Sequence, residues 1–172
     1  ATESLEGRLA GMIMQEDCTR HYHPNSRHCN LRPSGPWHYY KDAAQYYRND
    51  AFGFNTELGS PSVPTAATMR KMMPEEDLWP ISDTWHYHDL LNGLKDYVQA
   101  VDRLYGEAVS LEDFCRKVQF INYDSYRAMF ESWNSRLWNN TSGVLLWMSH
   151  PAWPSVEWQT YSWDYETFGS YY

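Results

Sequence analysis

The stretch from residue 50 to 64 constrains the fold most, because it is typical of a buried strand that ends abruptly. With a period of two, one face carries the larger side chains, Phe52, Phe54, Thr56 and Leu58. The other face is small and polar and carries Gly53, Asn55 and Glu57. Glycine and proline residues at positions 59, 61 and 64 then force the chain out of the strand. The strand therefore delivers one carboxylate, Glu57, to its carboxyl end, where α/β barrels carry their chemistry; the alternative is a surface acid before a turn.

Aromatic residues make up 17% of the 172 residues, with nine Trp and fourteen Tyr. Such a chain either builds a very aromatic core or uses rings to hold a ligand. Sugars are a natural ligand for such rings, because their C–H faces pack on indole and phenol rings while their hydroxyls find polar partners.

The chain carries 14 basic and 22 acidic residues, a formal net charge of −8. It contains no basic run that would displace counterions from phosphates, so nucleic acid and anionic membranes are not expected as partners. No apolar stretch approaches the roughly 20 residues that a bilayer-spanning helix needs. Three widely spaced cysteines suggest no disulfide framework, and the compartment stays open, secretion or a periplasmic location included.

The hydrophobic pattern predicts short strands separated by helices. Helices are predicted over residues 3–19, 65–73, 94–105 and 111–138, with a helical turn at 42–47. Strands are predicted at 20–23, 37–40, 52–58 and 143–149, while residues 25–36 and 75–91 are expected to be irregular. Ser110 and Asp113 form the pattern of a capping box that opens the long helix. This order of elements favours an α/β fold with parallel strands.

Four segments along the chain carry a family resemblance. They are Gly35–Tyr39 (GPWHY), Gly53–Thr65 (GFNTELGSPSVPT) with Met69–Met73, Leu111–Gln119 with Tyr126–Ser132, and Gly143–Met148 with Pro151–Pro154. In order and rough spacing they resemble glycoside hydrolase family 2, in the branch that holds exo-β-D-glucosaminidases, β-mannosidases and plant-type endo-β-mannosidases. The similarity covers most of residues 20–172, and the second segment resembles the nucleophile segment of the family.

The resemblance implies an α/β fold of the (β/α)8 TIM-barrel type, of which residues 1–172 would form the carboxyl-terminal half, truncated at both ends. The four predicted strands would be the fifth to the eighth of that barrel. The family is retaining, so one carboxylate attacks the anomeric carbon while a second, about 5–5.5 Å away, serves as acid and then as base. No metal or cofactor is implied. The partners would be a glycoside or oligosaccharide substrate and the amino-terminal half of the same barrel.

Several residues match positions of the family's site. Glu57 matches the nucleophile, and Tyr39 resembles a tyrosine that donates a hydrogen bond to it in related barrels, unless it is a packed ring. Trp147 would form part of the floor under the sugar ring, and Trp153 would line the same pocket or pack a loop. Asn55 shares the face of Glu57 and would bind near it.

Two alternatives remain open. A metal-dependent hydrolase is one, because the chain has two histidine pairs at strand spacing and further ligand types nearby: His21 and His23, His86 and His88, with His28, Cys29 and Asp89. In the barrel interpretation, His23 and Ser26 would instead face the substrate. A carbohydrate-binding module without catalysis is the other, although such modules are usually β-sandwiches and the long predicted helix disfavours one.

The family's general acid lies upstream of the nucleophile, and no residue of this chain matches its motif. The upstream acids fall in a predicted helix: Glu3, Glu6, Glu16 and Asp17. We therefore expect no glycosidase activity from the 172-residue chain alone, because half of the catalytic pair is missing. The measurement is hydrolysis of an aryl β-mannoside and of an aryl β-D-glucosaminide by the purified chain. Turnover above the rate in buffer would contradict this prediction.

Overall fold

The computed structural model describes residues 4–26, 32–89 and 91–172. The α-helices in these ranges are α1 (Leu5–Glu16), α2 (Ala66–Met72), α3 (Glu75–Leu78), α4 (Asp83–Tyr87), α5 (Leu94–Tyr105) and α6 (Leu111–Asn134). A π-helical turn spans Tyr46–Asp50 and a 3-10 turn spans Gly169–Tyr171. The strands are β1 (Gly53–Leu58) and β2 (Thr141–Leu146). No helix in the described ranges has the length and apolar character needed to cross a bilayer.

Side-chain caps fix the points at which helices begin. The Thr65 hydroxyl accepts from the N–H of Thr68 at 3.4 Å at the start of α2. At α6, the Ser110 hydroxyl accepts from the N–H of Asp113 at 3.2 Å, so the predicted cap by Ser110 is confirmed. The Asp113 carboxylate accepts from the N–H of Val109, the residue before the N-cap, at 3.3 Å, so the return bond does not reach Ser110 itself.

The strands β1 and β2 form a parallel pair. Leu58 lies opposite Leu146, and Phe54 lies opposite Gly143. A Cβ atom on Gly143 would come within 2.8 Å of the Phe54 ring, so glycine lets this ring lie over β2. The pair packs on α6 and the π-helical turn around one cluster of buried side chains: Tyr46, Ala51, Leu58, Tyr126, Ala128, Met129 and Trp133.

A second edge of β1 is occupied by the segment that contains Gly35 and Pro36. The Gly35 N–H donates to the Glu57 carbonyl at 2.6 Å, and the Gly59 N–H donates to the Pro36 carbonyl at 3.1 Å. The Leu58 carbonyl accepts from the N–H of Trp147, the residue that follows β2, at 2.9 Å. Because successive carbonyls of a strand point to opposite edges, β1 lies between this segment and β2, and all three run in the same direction.

Two of the predicted strands are wrong. Residues 20–23 and 37–40 form no strand ladder. In the second case Pro36 has no N–H to donate and the chain bends at His38, so pairing with β1 stops early. The first segment has no adjacent strand within the described ranges, and a strand exists only where a neighbour pairs with it. The parallel pair supports the α/β class, but two strands do not establish a barrel.

The prediction of an irregular segment at 75–91 is also wrong, because it contains α3 and α4. Acidic residues open α3, and Ser82 precedes α4, which are ordinary signals for helix starts. Trp85 fixes the pair: it is fully buried and its Nε1 donates to the Asp77 carbonyl at 3.1 Å. The remaining helices are confirmed, with α1 and α6 shorter than predicted and α6 ending at Asn134.

The predicted alternation along β1 is interrupted. Asn55 and Leu58 are both fully buried, whereas Phe52 is partly exposed. The register against β2 shifts between Asn55 and Leu58, which is a β-bulge. The small polar face that the sequence predicted is therefore partly an interior surface.

Gly59 lies where β1 ends and the chain comes closest to its neighbours. A Cβ atom there would be 2.2 Å from the Trp147 carbonyl oxygen and 3.0 Å from the Trp158 Cβ atom. Only a residue without a side chain fits between them.

We expect Gly59→Ala to lower the free energy of unfolding by about 2 kcal/mol or more, because the added methyl group meets packed backbone. Urea denaturation measures the change. Gly11→Ala is the matched control, since a Cβ atom there meets nothing within 4 Å. Because position 11 lies in a helix, Gly11→Ala should leave the free energy of unfolding unchanged or raise it by roughly 0.5–1 kcal/mol. Equal stability of the two variants would contradict the close approach at Gly59.

Asp164 joins the carboxyl-terminal tail to α2. Its carboxylate lies 2.6 Å from Lys71 Nζ and 3.1 Å from Thr68 Oγ1, and also accepts from Ser162. Burial alone would raise the pKa of this carboxyl, but hydrogen bonds from Lys71, Ser162 and Thr68 outweigh that effect and lower the pKa to about 2.

We expect Asp164→Asn to destabilise the fold at pH 7 by about 2 kcal/mol, because hydrogen bonds to a charged group are lost. A lowered folded-state pKa contributes stability above the unfolded pKa, and this contribution is lost as the pH falls through the folded value. The difference between variant and parent should therefore shrink between pH 4 and about 2. Thermal unfolding over this pH range is the measurement, with Asp102→Asn on the exposed face of α5 as control. A difference that does not change with pH would count against this role of Asp164.

Candidate active site

The strand β1 carries Glu57 at its last position but one, and backbone contacts hold it from two sides. The Glu57 N–H donates to Asn55 Oδ1 at 3.1 Å, and its carbonyl accepts from Gly35. The side chain is partly buried. Among the described residues, no Lys, Arg or His nitrogen lies within 4.0 Å of its carboxylate. The carboxylate is therefore not occupied by an ion pair with the described part of the chain.

Trp147 follows β2 directly and lies at the same end of the sheet as Glu57. Its N–H donates at 2.9 Å to the carbonyl of Leu58, the residue after Glu57. Its side chain is 44% exposed, so part of the indole surface is open. The peptide bond between Trp147 and Met148 is cis. Parallel pairing thus brings the predicted nucleophile and the predicted floor residue to neighbouring chain segments.

Two further tryptophans lie at this end of the sheet. Trp158 Nε1 donates to the Trp37 carbonyl, and the Trp158 carbonyl accepts from the N–H of Met148. Both tryptophans border a cavity of about 70 Å³. Trp37 falls in one of the four family segments, but sequence reasoning missed Trp158. The only available signal was the high aromatic content of the tail, which does not distinguish one ring from another.

Neither Glu57 nor Trp147 lines that cavity or three larger ones bordered by described residues. The largest of these, about 490 Å³, lies between α6 and the carboxyl-terminal tail. None of these four cavities is therefore the predicted sugar site around Glu57 and Trp147.

Tyr39 does not make its predicted contact. Its hydroxyl accepts from Arg103 Nη2 at 2.9 Å, and its ring centroid lies 5.6 Å from that of Tyr97. Burial raises the pKa of the Tyr39 hydroxyl, and the Arg103 guanidinium offsets part of this rise. Both neighbours belong to α5, so Tyr39 packs against a helix, and in the described part of the chain no hydrogen bond joins it to Glu57. The prediction rested on resemblance to a tyrosine of a barrel strand, and here the chain bends at His38 and Tyr39 is not in a strand.

Asn55 is near Glu57 as predicted, but its side chain is 0% exposed. Its Nδ2 donates to the Gly35 carbonyl at 2.8 Å, and its Oδ1 accepts from the Glu57 N–H. A direct contact with a substrate, which the sequence predicted, is therefore not available to Asn55. The bulge in β1 is the reason, because it buries a position that strict alternation would place on the open face.

Trp153 is 44% exposed and stacks on His88, with ring centroids 5.3 Å apart. The Nδ1 atom of His88 lies 2.7 Å from the Pro154 carbonyl oxygen, so this nitrogen donates. His86 lies in α4 and His88 is its C-cap residue. The two histidines are therefore not on a strand, contrary to the prediction.

The remaining candidates for metal binding or substrate contact lie near the amino end of the chain. His23 Nδ1 lies 3.4 Å from His21 Nε2, and the Ser26 carbonyl accepts from Thr56 of β1 at 3.2 Å. No three His, Cys, Asp or Glu residues in the described ranges are grouped so that they could hold a metal ion. His28 and Cys29 lie outside the described residues.

The chain is similar to known glycosidases, although no protein-family model matches it. It is 35% identical over 147 residues to the mannosylglycoprotein endo-β-mannosidase of Lilium longiflorum, a match that covers 74% of this chain. It is 30% identical over 158 residues to the exo-β-D-glucosaminidase of Amycolatopsis orientalis, a match that covers 83% of this chain. In both cases the chain spans 15% of the relative's length.

A solved structure has the same fold over most of this chain. The β-D-mannosidase of Dictyoglomus thermophilum matches 95% of this chain and 22% of its own, with a TM-score of 0.81 and 22% sequence identity. The backbone arrangement around β1 and β2 is therefore that of one segment of a larger enzyme structure. An endo-β-mannosidase and an exo-β-D-glucosaminidase are relatives of the kinds that the four sequence segments predicted, and the chain belongs to glycoside hydrolase family 2.

Proposed function

We propose that this chain is part of the catalytic domain of a retaining β-glycosidase, in which Glu57 is the nucleophile. One observation carries the proposal. A partly buried carboxylate without a described cation partner lies at the carboxyl end of β1, and the half-exposed indole of Trp147 follows the adjacent parallel strand. A nucleophilic carboxylate and an aromatic surface for a sugar ring are the two groups that such an enzyme needs at one place.

The reaction proceeds in two displacements. A Glu57 oxygen bonds to the anomeric carbon as the bond to the leaving oxygen breaks, and a general acid gives that oxygen its proton. The same group then takes a proton from water as the water oxygen replaces Glu57 at the anomeric carbon. Glu57 returns as a carboxylate. Two inversions leave the configuration of the sugar unchanged.

The general acid is not supplied by this chain in our proposal. The carboxyl pair of a retaining enzyme is about 5–5.5 Å apart. The acid would therefore belong to a strand outside this chain that faces the end of β1 across the site. We assign β1 and β2 to the seventh and eighth strands of a (β/α)8 barrel, with the segment at 35–36 in the position of the sixth. Support comes from the order in which β1 is flanked by residues 35–36 and by β2, all in one direction.

The substrate class follows from the relatives and from the exposed indole. The relatives act, by their names, on β-mannosides and β-D-glucosaminides. We propose one of these two as the substrate, with the apolar face of the sugar on Trp147 and with Trp153 as a second aromatic contact. The two sugars differ at carbon 2, and this chain offers no described side chain that would distinguish them.

The alternatives have less support. A binding module of the β-sandwich type does not fit the 24-residue helix α6 or the two parallel strands. A metal-dependent hydrolase needs a ligand cluster, and the histidines at 86 and 88 lie on a helix and its cap.

The proposal predicts that Glu57→Gln in the full-length enzyme lowers kcat by roughly three orders of magnitude or more, since the amide cannot form the glycosyl ester. Substrate binding should be retained, as measured by calorimetry. Trapping with an activated 2-deoxy-2-fluoro β-glycoside should label the peptide that contains Glu57, identified by mass spectrometry. Glu76→Gln, at an exposed position on α3, is the control and should keep full activity. Near-full activity of Glu57→Gln, or a label on another residue, would overturn the assignment.

A further inference from the structure

The backbone of Glu57 is joined to Gly35 and Asn55 by a closed set of hydrogen bonds. The Asn55 Oδ1 atom accepts from the Glu57 N–H at 3.1 Å, and its Nδ2 donates to the Gly35 carbonyl at 2.8 Å. The Gly35 N–H donates in turn to the Glu57 carbonyl at 2.6 Å. One amide side chain therefore ties the strand that carries the carboxylate to the neighbouring segment.

The register of β1 against β2 contains an extra residue at this point. Asn55 pairs with Val144 and Leu58 pairs with Leu146, so three steps along β1 match two steps along β2. A bulge of this kind redirects side chains and takes backbone groups out of the regular ladder. The Asn55 Oδ1 atom accepts from the Glu57 N–H inside the bulge. The Glu57 N–H is therefore bonded to the Asn55 side chain, and Glu57 has no register partner on β2.

The Gly35 carbonyl is held from a second side by Arg32. The Arg32 Nη1 atom donates to it at 2.9 Å, and the Arg32 side chain is 8% exposed. Its guanidinium lies 4.8 Å from the ring centroid of Phe52 and 5.6 Å from that of Trp133, and 3.6 Å from Asp50. Two aromatic rings and a carboxylate restrict this cation, so the acceptor of the amide has a fixed position.

We propose that Asn55 is a positioning residue for the reaction of Glu57, which it serves by fixing the backbone of the bulge so that the carboxylate points at the anomeric carbon. This inference rests on the proposed function of Glu57. Asparagine is suited to the role because it supplies both a donor and an acceptor, whereas an ionised aspartate supplies acceptors alone and alanine supplies neither. Asn55 is fully buried, so it acts through the Glu57 backbone and does not touch the sugar.

The test compares Asn55→Ala with Asn122→Ala in the full-length enzyme. Asn122 is the matched control because it is also 0% exposed and accepts a backbone hydrogen bond, from the Ser170 N–H at 2.8 Å, but lies on α6. Both variants should lose thermal stability. Asn55→Ala should also slow covalent labelling of Glu57 by an activated 2-deoxy-2-fluoro β-glycoside, and lower kcat, by roughly 10- to 100-fold, because small misplacements of a reacting group are costly. KM should change by less than about threefold, because Asn55 makes no sugar contact.

Asn55→Asp provides a second readout, which a purely structural role would not change. A protonated aspartic acid can donate to the Gly35 carbonyl and accept from the Glu57 N–H, but its carboxylate cannot donate. The labelling rate of Asn55→Asp, divided by that of the parent at each pH, should therefore rise as the pH falls. If Asn55→Ala does not accumulate as folded protein, this ratio alone decides the question.

The outcomes separate this inference from the proposed function. Labelling of Glu57 in the parent, with Asn55→Ala labelled as fast as Asn122→Ala, would reject the positioning role and leave the nucleophile assignment intact. A labelling ratio for Asn55→Asp that stays constant with pH would also reject it. Absence of any label on Glu57 in the parent would reject the proposed function, and the role of Asn55 with it.

Discussion

The pairing of β1 with parallel neighbours on both edges is the constraint on which the rest of this structure depends. Hydrogen bonds from Gly35 and from the residue after β2 reach consecutive carbonyls of β1, so the strand cannot rotate about its axis. Glycine at positions 59 and 143 permits the close approach that this pairing demands. Because parallel strands end at the same side, Glu57 and Trp147 share one surface even though 90 residues separate them in sequence.

The two ends of β1 have opposite character. Its amino end is packed around Arg32 and Asp50, where burial raises the pKa of the Asp50 carboxyl and lowers that of the Arg32 guanidinium, and each partner offsets part of the shift of the other. Its carboxyl end presents Glu57 without a described cation. The Asp50 carboxylate is paired with a cation, whereas the Glu57 carboxylate has no cation partner among the described residues and remains available to react. β1 thus has a buried ion pair at its amino end and a candidate nucleophile at its carboxyl end.

Aromatic residues serve two purposes in this chain, and the high aromatic content alone does not show which rings form the core and which could bind a ligand. Trp85 and Trp133 are fully buried, each in a separate cluster of core side chains, while Trp147 and Trp153 remain about half exposed. Trp153 in turn stacks on His88, a residue whose sequence spacing suggested metal binding. Exposure at the carboxyl end of the strands, and not residue type, marks the rings that a sugar could reach.

The sequence by itself determined the local features: the extents of α2 and α5, the Ser110 cap of α6, the strand that carries Glu57, and the family segments. These depend on side chains a few residues apart, so a linear pattern contains them. Tertiary structure alone decided that residues 20–23 and 37–40 do not form strands, that Tyr39 packs on α5, and that a bulge buries Asn55. Each of these outcomes depends on which distant backbone supplies a hydrogen-bond partner, and that choice is made only when the chain is packed.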